Sequence, residues 1–377
     1  MAARRGYHAL DHANHRRGET PSLRSVTPPA AFDRFVQALP KMELHCHLLG
    51  TVRRQTFEDL ARRERAPLPA ADIEAFYTRG EKPVGVLRVL RALDRWLLTR
   101  ADAFHRLSYE YLQDAAQHGV RYAEFFWNPT GTAQVSGLPY AAVLPAIRRA
   151  IADARADFGI VGRLVPAIDR EAGAAAAMEM LQWVIEHRAD EVPGIGIDYQ
   201  EAIGPPQLFV EVYAAARRAG LKTTAHAGEF GLPAANVRCA IDELRVDRVD
   251  HGYTIVDDPA LTAQALASGM VFTVVPTNSY YLRTLPPERW AAEHPIRRMR
   301  ELGLRVHPNT DDPTLHHVTP SRAWAMMVRD FGYSIADLRQ CLHNGLDSAW
   351  IDASTREAWR SEWSAHFDAL RAELPHP

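Results

Sequence analysis

Eight short apolar runs, alternating with helical patterns, constrain this chain more than any other feature. The first lies in Lys41-Met-Glu-Leu-His-Cys-His-Leu-Leu-Gly50, where Met42, Leu44, Cys46 and Leu48 alternate with other residues as in a β-strand. The others are Val120–Trp127, Ile160–Ala167, Gly194–Asp198, Leu221–His226, Val246–His251, Met270–Val275 and Leu304–Asn309. Helical periodicity falls between most of them, near 140–157, 172–187, 206–219, 233–244 and 259–268. Repeating β-then-α units imply a parallel sheet, and eight of them imply an α/β fold closed into a (β/α)8 TIM barrel. A doubly wound open sheet fits less well, because no glycine-rich phosphate turn follows the first strand.

Between the first two strands, residues 53–118 read as a helical insert, with Gly119 as a C-terminal cap. An insert of that length could cover the mouth of a barrel. Residues 321–377 read as C-terminal helices, through the apolar spacing of Ala323–Val328 and of Trp359, Trp363 and Phe367. Residues 1–34 are rich in Arg, His and Pro, have no apolar stretch for a signal peptide, and read as a mostly disordered leader ending near Pro28-Pro29. Residues 35–377 are then expected to form one domain.

Composition removes several functions. A net charge of -2 invites neither nucleic acid nor an anionic membrane. No apolar run approaches the roughly 20 residues of a membrane helix. Cys46, Cys239 and Cys341 are far apart and odd in number, which points to a reducing cytoplasm and away from disulfides or a thiolate zinc site.

Catalytic groups of a (β/α)8 barrel gather at the C-terminal ends of its strands. His45 and His47 end the first run, Asp198 and Glu201 the fourth, His226 the fifth, His251 the sixth, and Asp311 and Asp312 the eighth. An isolated His-x-His is more often a pair of structural histidines; its partners at the other strand ends change that. Three imidazoles and a carboxylate, His45, His47, His226 and Asp311, suit one Zn²⁺, with Fe²⁺ or Mn²⁺ as alternatives, and leave room for a water. Glu229 can exchange protons with a substrate, His251 can orient the attacking water, and Asp312 can hydrogen-bond the substrate. A second metal would call for a bridging lysine on a middle strand, and none lies between Lys82 and Lys222. Cys46 should face the core, Glu124 should be a structural carboxylate, and Trp96 and Phe104 should pack in the core. His316 and His317 read as surface-loop residues, and Tyr280-Tyr281 as equally suited to the pocket mouth or elsewhere.

These motifs in this order, from about residue 38 to 345, resemble the adenosine deaminase-like branch of the amidohydrolase superfamily. They are His45-Cys-His47, His226-Ala-Gly-Glu229, Asp250-His-Gly252 and Thr310-Asp-Asp-Pro313. The stretches Ala123–Pro129 and Gly196–Pro206 are similar to the adenine deaminase-like subgroup. The resemblance implies zinc on His45, His47, His226 and Asp311, with Glu229 shuttling a proton to the ring nitrogen beside the attacked carbon. It also implies that His251 activates water and Asp312 holds the purine imidazole nitrogen. The implied reaction replaces the exocyclic amine of a 6-aminopurine by oxygen and releases ammonia. Substrate contacts are expected from Asp312, Glu201, Leu49 and Gly228.

Two departures bear on the substrate. Leu49 stands where the family carries an acid or amide associated with ribose hydroxyls, and leucine cannot accept a hydrogen bond. Tyr199 and Gln200 replace the small serines of the adenine pattern. Both point to a modified adenine with an apolar or unusual substituent. Another mononuclear amidohydrolase, or a non-catalytic purine-binding relative, are the alternatives; a cytidine-type deaminase lacks its cysteines here.

Overall fold

The computed structural model describes residues 29–79 and 85–375. Eight parallel strands run in the order β1 to β8: Lys41–Glu43, Val120–Trp127, Val161–Asp169, Gly194–Asp198, Lys222–Ala227, Arg248–His251, Val271–Val274 and Arg305–Pro308. Helices connect them, giving the (β/α)8 barrel that the alternation implies.

Closure happens beyond the first and last strands. The N–H of Asp311 donates to the carbonyl of His45 at 3.0 Å, and the N–H of His47 donates to the carbonyl of Asp311 at 2.8 Å. The first strand is therefore much shorter than its apolar alternation predicts. After Glu43 the chain bends at His45, pairs by turns with both neighbours, Cys46 with Asp311 and His47 with Phe126, and then tightens into a 3-10 turn over Leu48–Thr51. Gly50 explains the turn: a Cβ there would lie 1.9 Å from Asp312 Oδ1, so only glycine lets the backbone approach.

The barrel interior carries a buried ion pair in which Arg248 Nη1 donates to Glu124 Oε2 at 2.5 Å. Glu124 Oε1 also accepts from the Trp350 N–H at 2.7 Å, so this carboxylate is structural, as expected. Phe104 is fully buried against Trp127, whereas Trp96 is half-buried under the Arg95 guanidinium.

Residues 1–28 of the expected leader lie outside the described residues, but 29–34 are not part of a disordered leader. They begin a helix, Pro29–Ala38, with proline at its first position. Phe32, Phe35 and Val36 are buried, Phe35 edge-on to Phe367 at 5.4 Å, and Lys41 Nζ caps the helix end on the Val36 and Leu39 carbonyls. Burial of that apolar stripe overrides the polar composition upstream. The C-terminal segment is helical over Pro320–Arg329, Ile335–Ser348 and Ala353–Ala372.

The insert is helical over Arg54–Arg63, Ala70–Tyr77, Val86–Ala92 and Ala101–Gln117, with a π-turn at Leu93–Leu97; residues 80–84 lie outside the described residues. Between β7 and β8 three short helices, Ser279–Thr284, Pro287–Glu293 and Pro295–Glu301, escape periodicity because each spans about two turns.

Candidate metal centre and active site

Strand pairing brings the polar strand ends to one face. His45, His226, His251 and Asp311 each offer a ligand atom within 4.8 Å of one another. His47 joins them: its Nε2 lies 3.1 Å from His226 Nε2 and 3.1 Å from Asp311 Oδ1. His45 Nε2 is 3.4 Å from the same oxygen. Ligands at about 2.1 Å around a tetrahedral zinc lie roughly 3.4 Å apart, so these spacings match the edges of such a site.

The outer nitrogens set the tautomers. His45 Nδ1 faces the Thr273 carbonyl at 3.1 Å, which can only accept, so Nδ1 carries the proton and Nε2 is a bare lone pair. His226 Nδ1 faces Asp250 at 3.3 Å and His47 Nδ1 faces Asp198 at 3.5 Å, with the same result. Two bare lone pairs 3.1 Å apart repel, so either a metal ion sits between them or, without metal, one of them takes a proton. Burial pulls the His47 pKa down, but Asp198 and Asp311 outweigh it and push it well up, so positive charge is favoured at this point. Burial alone would raise Asp311, yet His45 and His47 hold it well below the carboxylate range. His45, His47, His226 and Asp311 therefore fit a divalent metal, and Thr273, Asp250 and Asp198 hold the three rings in place.

His251 is directed differently. Its Nδ1 lies 3.4 Å from the Tyr253 hydroxyl, whose own proton goes to the Val275 carbonyl at 3.1 Å. The imidazole must therefore donate through Nδ1, leaving Nε2 as an acceptor 3.5 Å from Glu229 Oε2. His251 and Asp311 adopt left-handed backbone angles, φ 66° and 64°, as does Tyr199 at 68°. Such conformations cost about 1–3 kcal/mol each and gather at functional sites.

Burial, then Asp311 and Glu201, push the Glu229 carboxyl well above its ordinary range. Asn278 Nδ2 donates to Glu229 Oε1 at 3.3 Å, fixing its orientation. Burial and Asp311 likewise raise Asp312.

A cleft of about 190 Å³ opens over these groups. His47, Asp198, His226, Glu229, Asp311 and Asp312 form its floor, Tyr199, Gln200 and Phe230 one side, and Ser279, Arg283 and His316 another. Val86, Leu87 and Leu90 of the insert line it too, so the insert does reach the barrel mouth.

Three expected substrate contacts stand elsewhere; among the described residues none of them lines the cleft. Glu201 instead accepts from the N–H groups of Gly228 at 2.7 Å and Glu229 at 3.1 Å, holding the turn that presents Glu229. Gly228 supplies that turn's left-handed φ of 70° and packs against Thr254 and Val237. Leu49 is buried with the core, because the 3-10 turn points it inward.

His316 is another correction: it is 4% exposed and lines the cleft, while His317 is exposed and meets the Tyr77 carbonyl at 2.9 Å. A four-residue spacing from Asp312 was the available signal. Cys46 faces the core as expected, and Tyr281 packs on Tyr253 with centroids 5.2 Å apart. Asn278 and Ser279 were overlooked, although an Asn-Ser pair after a barrel strand is a helix-cap signature. Arg170 is buried behind the candidate metal ligands, its Nη2 donating to the His226 carbonyl at 2.7 Å, and no local motif marks it.

Comparison with known proteins points to one family. The adenosine deaminase family model matches residues 40–365. An adenine deaminase of Cupriavidus necator is 31% identical over 348 residues, covering 90% of this chain and 97% of the relative. A Burkholderia ambifaria amidohydrolase solved with bound zinc is 60% identical with a TM-score of 0.91, covering 93% of this chain and 96% of its own. The adenine deaminase of Arthrobacter aurescens is 27% identical with a TM-score of 0.79, over 88% of this chain and all of its own. This chain belongs to the adenosine deaminase family, nearer its adenine deaminases.

Proposed function

We propose that the chain hydrolytically deaminates a 6-aminopurine, specifically a modified adenine with an apolar substituent, using one zinc ion per chain. The observation that carries this reading is the cleft. Glu229 and Asp312, whose carboxyls burial and Asp311 push above their ordinary range, lie on its floor beside the His45, His47, His226 and Asp311 cluster, and an apolar wall of Val86, Leu87 and Leu90 lines it as well. Tyr199 and Gln200 occupy the cleft where the adenine pattern has small serines, which favours a substrate of altered shape.

A zinc ion on His45, His47, His226 and Asp311 would make a water nucleophilic at neutral pH. His251 Nε2, left as an acceptor by Tyr253, is the base for the attacking water. Glu229, kept protonated by burial and by Asp311, gives its proton to the ring nitrogen beside the attacked carbon. That transfer removes negative charge from the ring as the new C–O bond forms. Asp312 holds the imidazole nitrogen, and Gly50 keeps Asp312 in place. His251 then passes the proton it took to the amine, and Glu229 recovers one from the new hydroxyl as that oxygen becomes a carbonyl, so the C–N bond breaks with release of ammonia and both side chains return to their starting states.

We place the reaction in purine metabolism and in the cytoplasm, with no nucleic-acid or membrane partner. The three cysteines are unpaired and buried, and no described helix is long and apolar enough to cross a membrane. Ammonia release from a panel of aminopurines tests the substrate. Modified adenines are expected to lead, and a clear preference for plain adenosine would overturn that part of the proposal.

A further inference from the structure

His316 is a buried polar side chain that the metal chemistry leaves unused. One turn of chain places it over Asp312: its N–H donates to the Asp312 carbonyl at 2.7 Å. Its Nε2 then lies 3.2 Å from Ser279 Oγ and 4.0 Å from Asp312 Oδ2. His316, Ser279 and Asp312 line the same cleft. Among the described residues, His316 Nδ1 and Asp312 Oδ1 are buried without a hydrogen-bond partner.

Burial lowers the His316 pKa to about 4, so the ring is neutral, with one donor and one acceptor nitrogen. Ser279 adds a hydroxyl that rotates to donate or accept. These groups stand in a cleft lined elsewhere by Leu87, Leu90 and Phe230. A buried polar group without a partner costs about 1–3 kcal/mol, and a site with such groups discriminates against any ligand that leaves them unpaired.

We infer that His316 and Ser279 form a specificity-determining pair that hydrogen-bonds the second nitrogen of the aminopurine's five-membered ring, across the ring carbon from the nitrogen held by Asp312. This rests on the deaminase reading above and narrows it. The enzyme selects for the imidazole half of the base and not only for the six-membered ring that reacts. His316 takes no part in the bond-breaking step, so its effect falls on KM.

Steady-state kinetics of the zinc-loaded full chain test this, comparing wild type with His316→Phe and Ser279→Ala. The probes are the best 6-aminopurine as substrate and 4-aminopyrimidine, which lacks the imidazole ring, as competitive inhibitor. His316→Phe should raise KM for the purine about three- to tenfold, with kcat nearly unchanged and the inhibition constant of the pyrimidine unmoved. Ser279→Ala should shift KM the same way by less, and it carries the test if His316→Phe fails to fold. An unchanged KM, an equal loss for the pyrimidine, or a fall in kcat at steady KM would each overturn the inference. So would two metal ions per wild-type chain and one in His316→Phe, because Asp311, Asp312 and His316 lie close enough to share an ion. A zinc-loaded wild type that releases ammonia from no aminopurine sinks the deaminase reading itself. An active wild type with an indifferent His316→Phe sinks only this inference.

Discussion

His47 and Asp311 are joined twice, once by backbone and once by side chain. The His47 N–H donates to the Asp311 carbonyl at 2.8 Å, and the His47 Nε2 approaches Asp311 Oδ1 at 3.1 Å. The first contact closes the barrel and the second closes the metal site. Loss of metal and loss of barrel closure can therefore be separated by changing the side chain alone.

Asp311→Ala keeps the backbone bonds and removes the carboxylate. Zinc affinity should fall by more than the roughly 10–100-fold that outer-sphere substitutions cost, with the fold retained. Metal analysis after dialysis and circular dichroism check this. Chelation of the wild type should lower its melting temperature in proportion to metal lost, since a ligand of the folded state stabilises it by mass action.

Glu229→Gln removes the proton donor while preserving shape. It should keep its zinc and lose about 10²–10⁴ in kcat, measured as ammonia release. Full activity in this variant would refute the proton-transfer role.

Asp250 accepts from Thr273 Oγ1 at 2.7 Å and faces His226 Nδ1 at 3.3 Å. Replacing it with Asn frees the His226 tautomer and should weaken zinc binding about 10–100-fold, read by competition with a chromogenic chelator.

A Cβ on residue 50 would lie 2.6 Å from the Asp312 Cβ, so Gly50→Ala must displace Asp312. Displacement of a positioning group by about 1 Å costs on the order of 100-fold. The variant should show that loss in kcat/KM while its zinc content stays at one per chain.

Glu43 is fully buried and its pKa is pushed from 4.5 up to about 8 by burial, against hydrogen bonds from Thr310. A carboxyl raised on folding binds its proton more tightly in the folded state. Its contribution is fully present below pH 4.5 and is lost as pH rises through about 8. Thermal melts of wild type should therefore lose stability between those values, and Glu43→Gln should flatten that part of the profile.

The sequence by itself determined the architecture and put the candidate reacting groups at the strand ends. Strand-forming runs that carry His226 and His251 at their ends, and Asp311 just beyond the eighth, are local patterns, and the barrel carries every strand end to the same face. Neither step needs a long-range contact to be foreseen. Only the tertiary structure decided what surrounds those groups. Leu49 turned inward because Gly50 must pass close to Asp312, and Glu201 went to the Gly228–Glu229 turn because those N–H groups needed an acceptor. His316 entered the cleft because a turn of chain after Asp312 folded it over the site, next to Ser279 from a helix 37 residues away. Such placements depend on close approach between segments distant in the chain, and residue type and spacing along one strand carry no record of that.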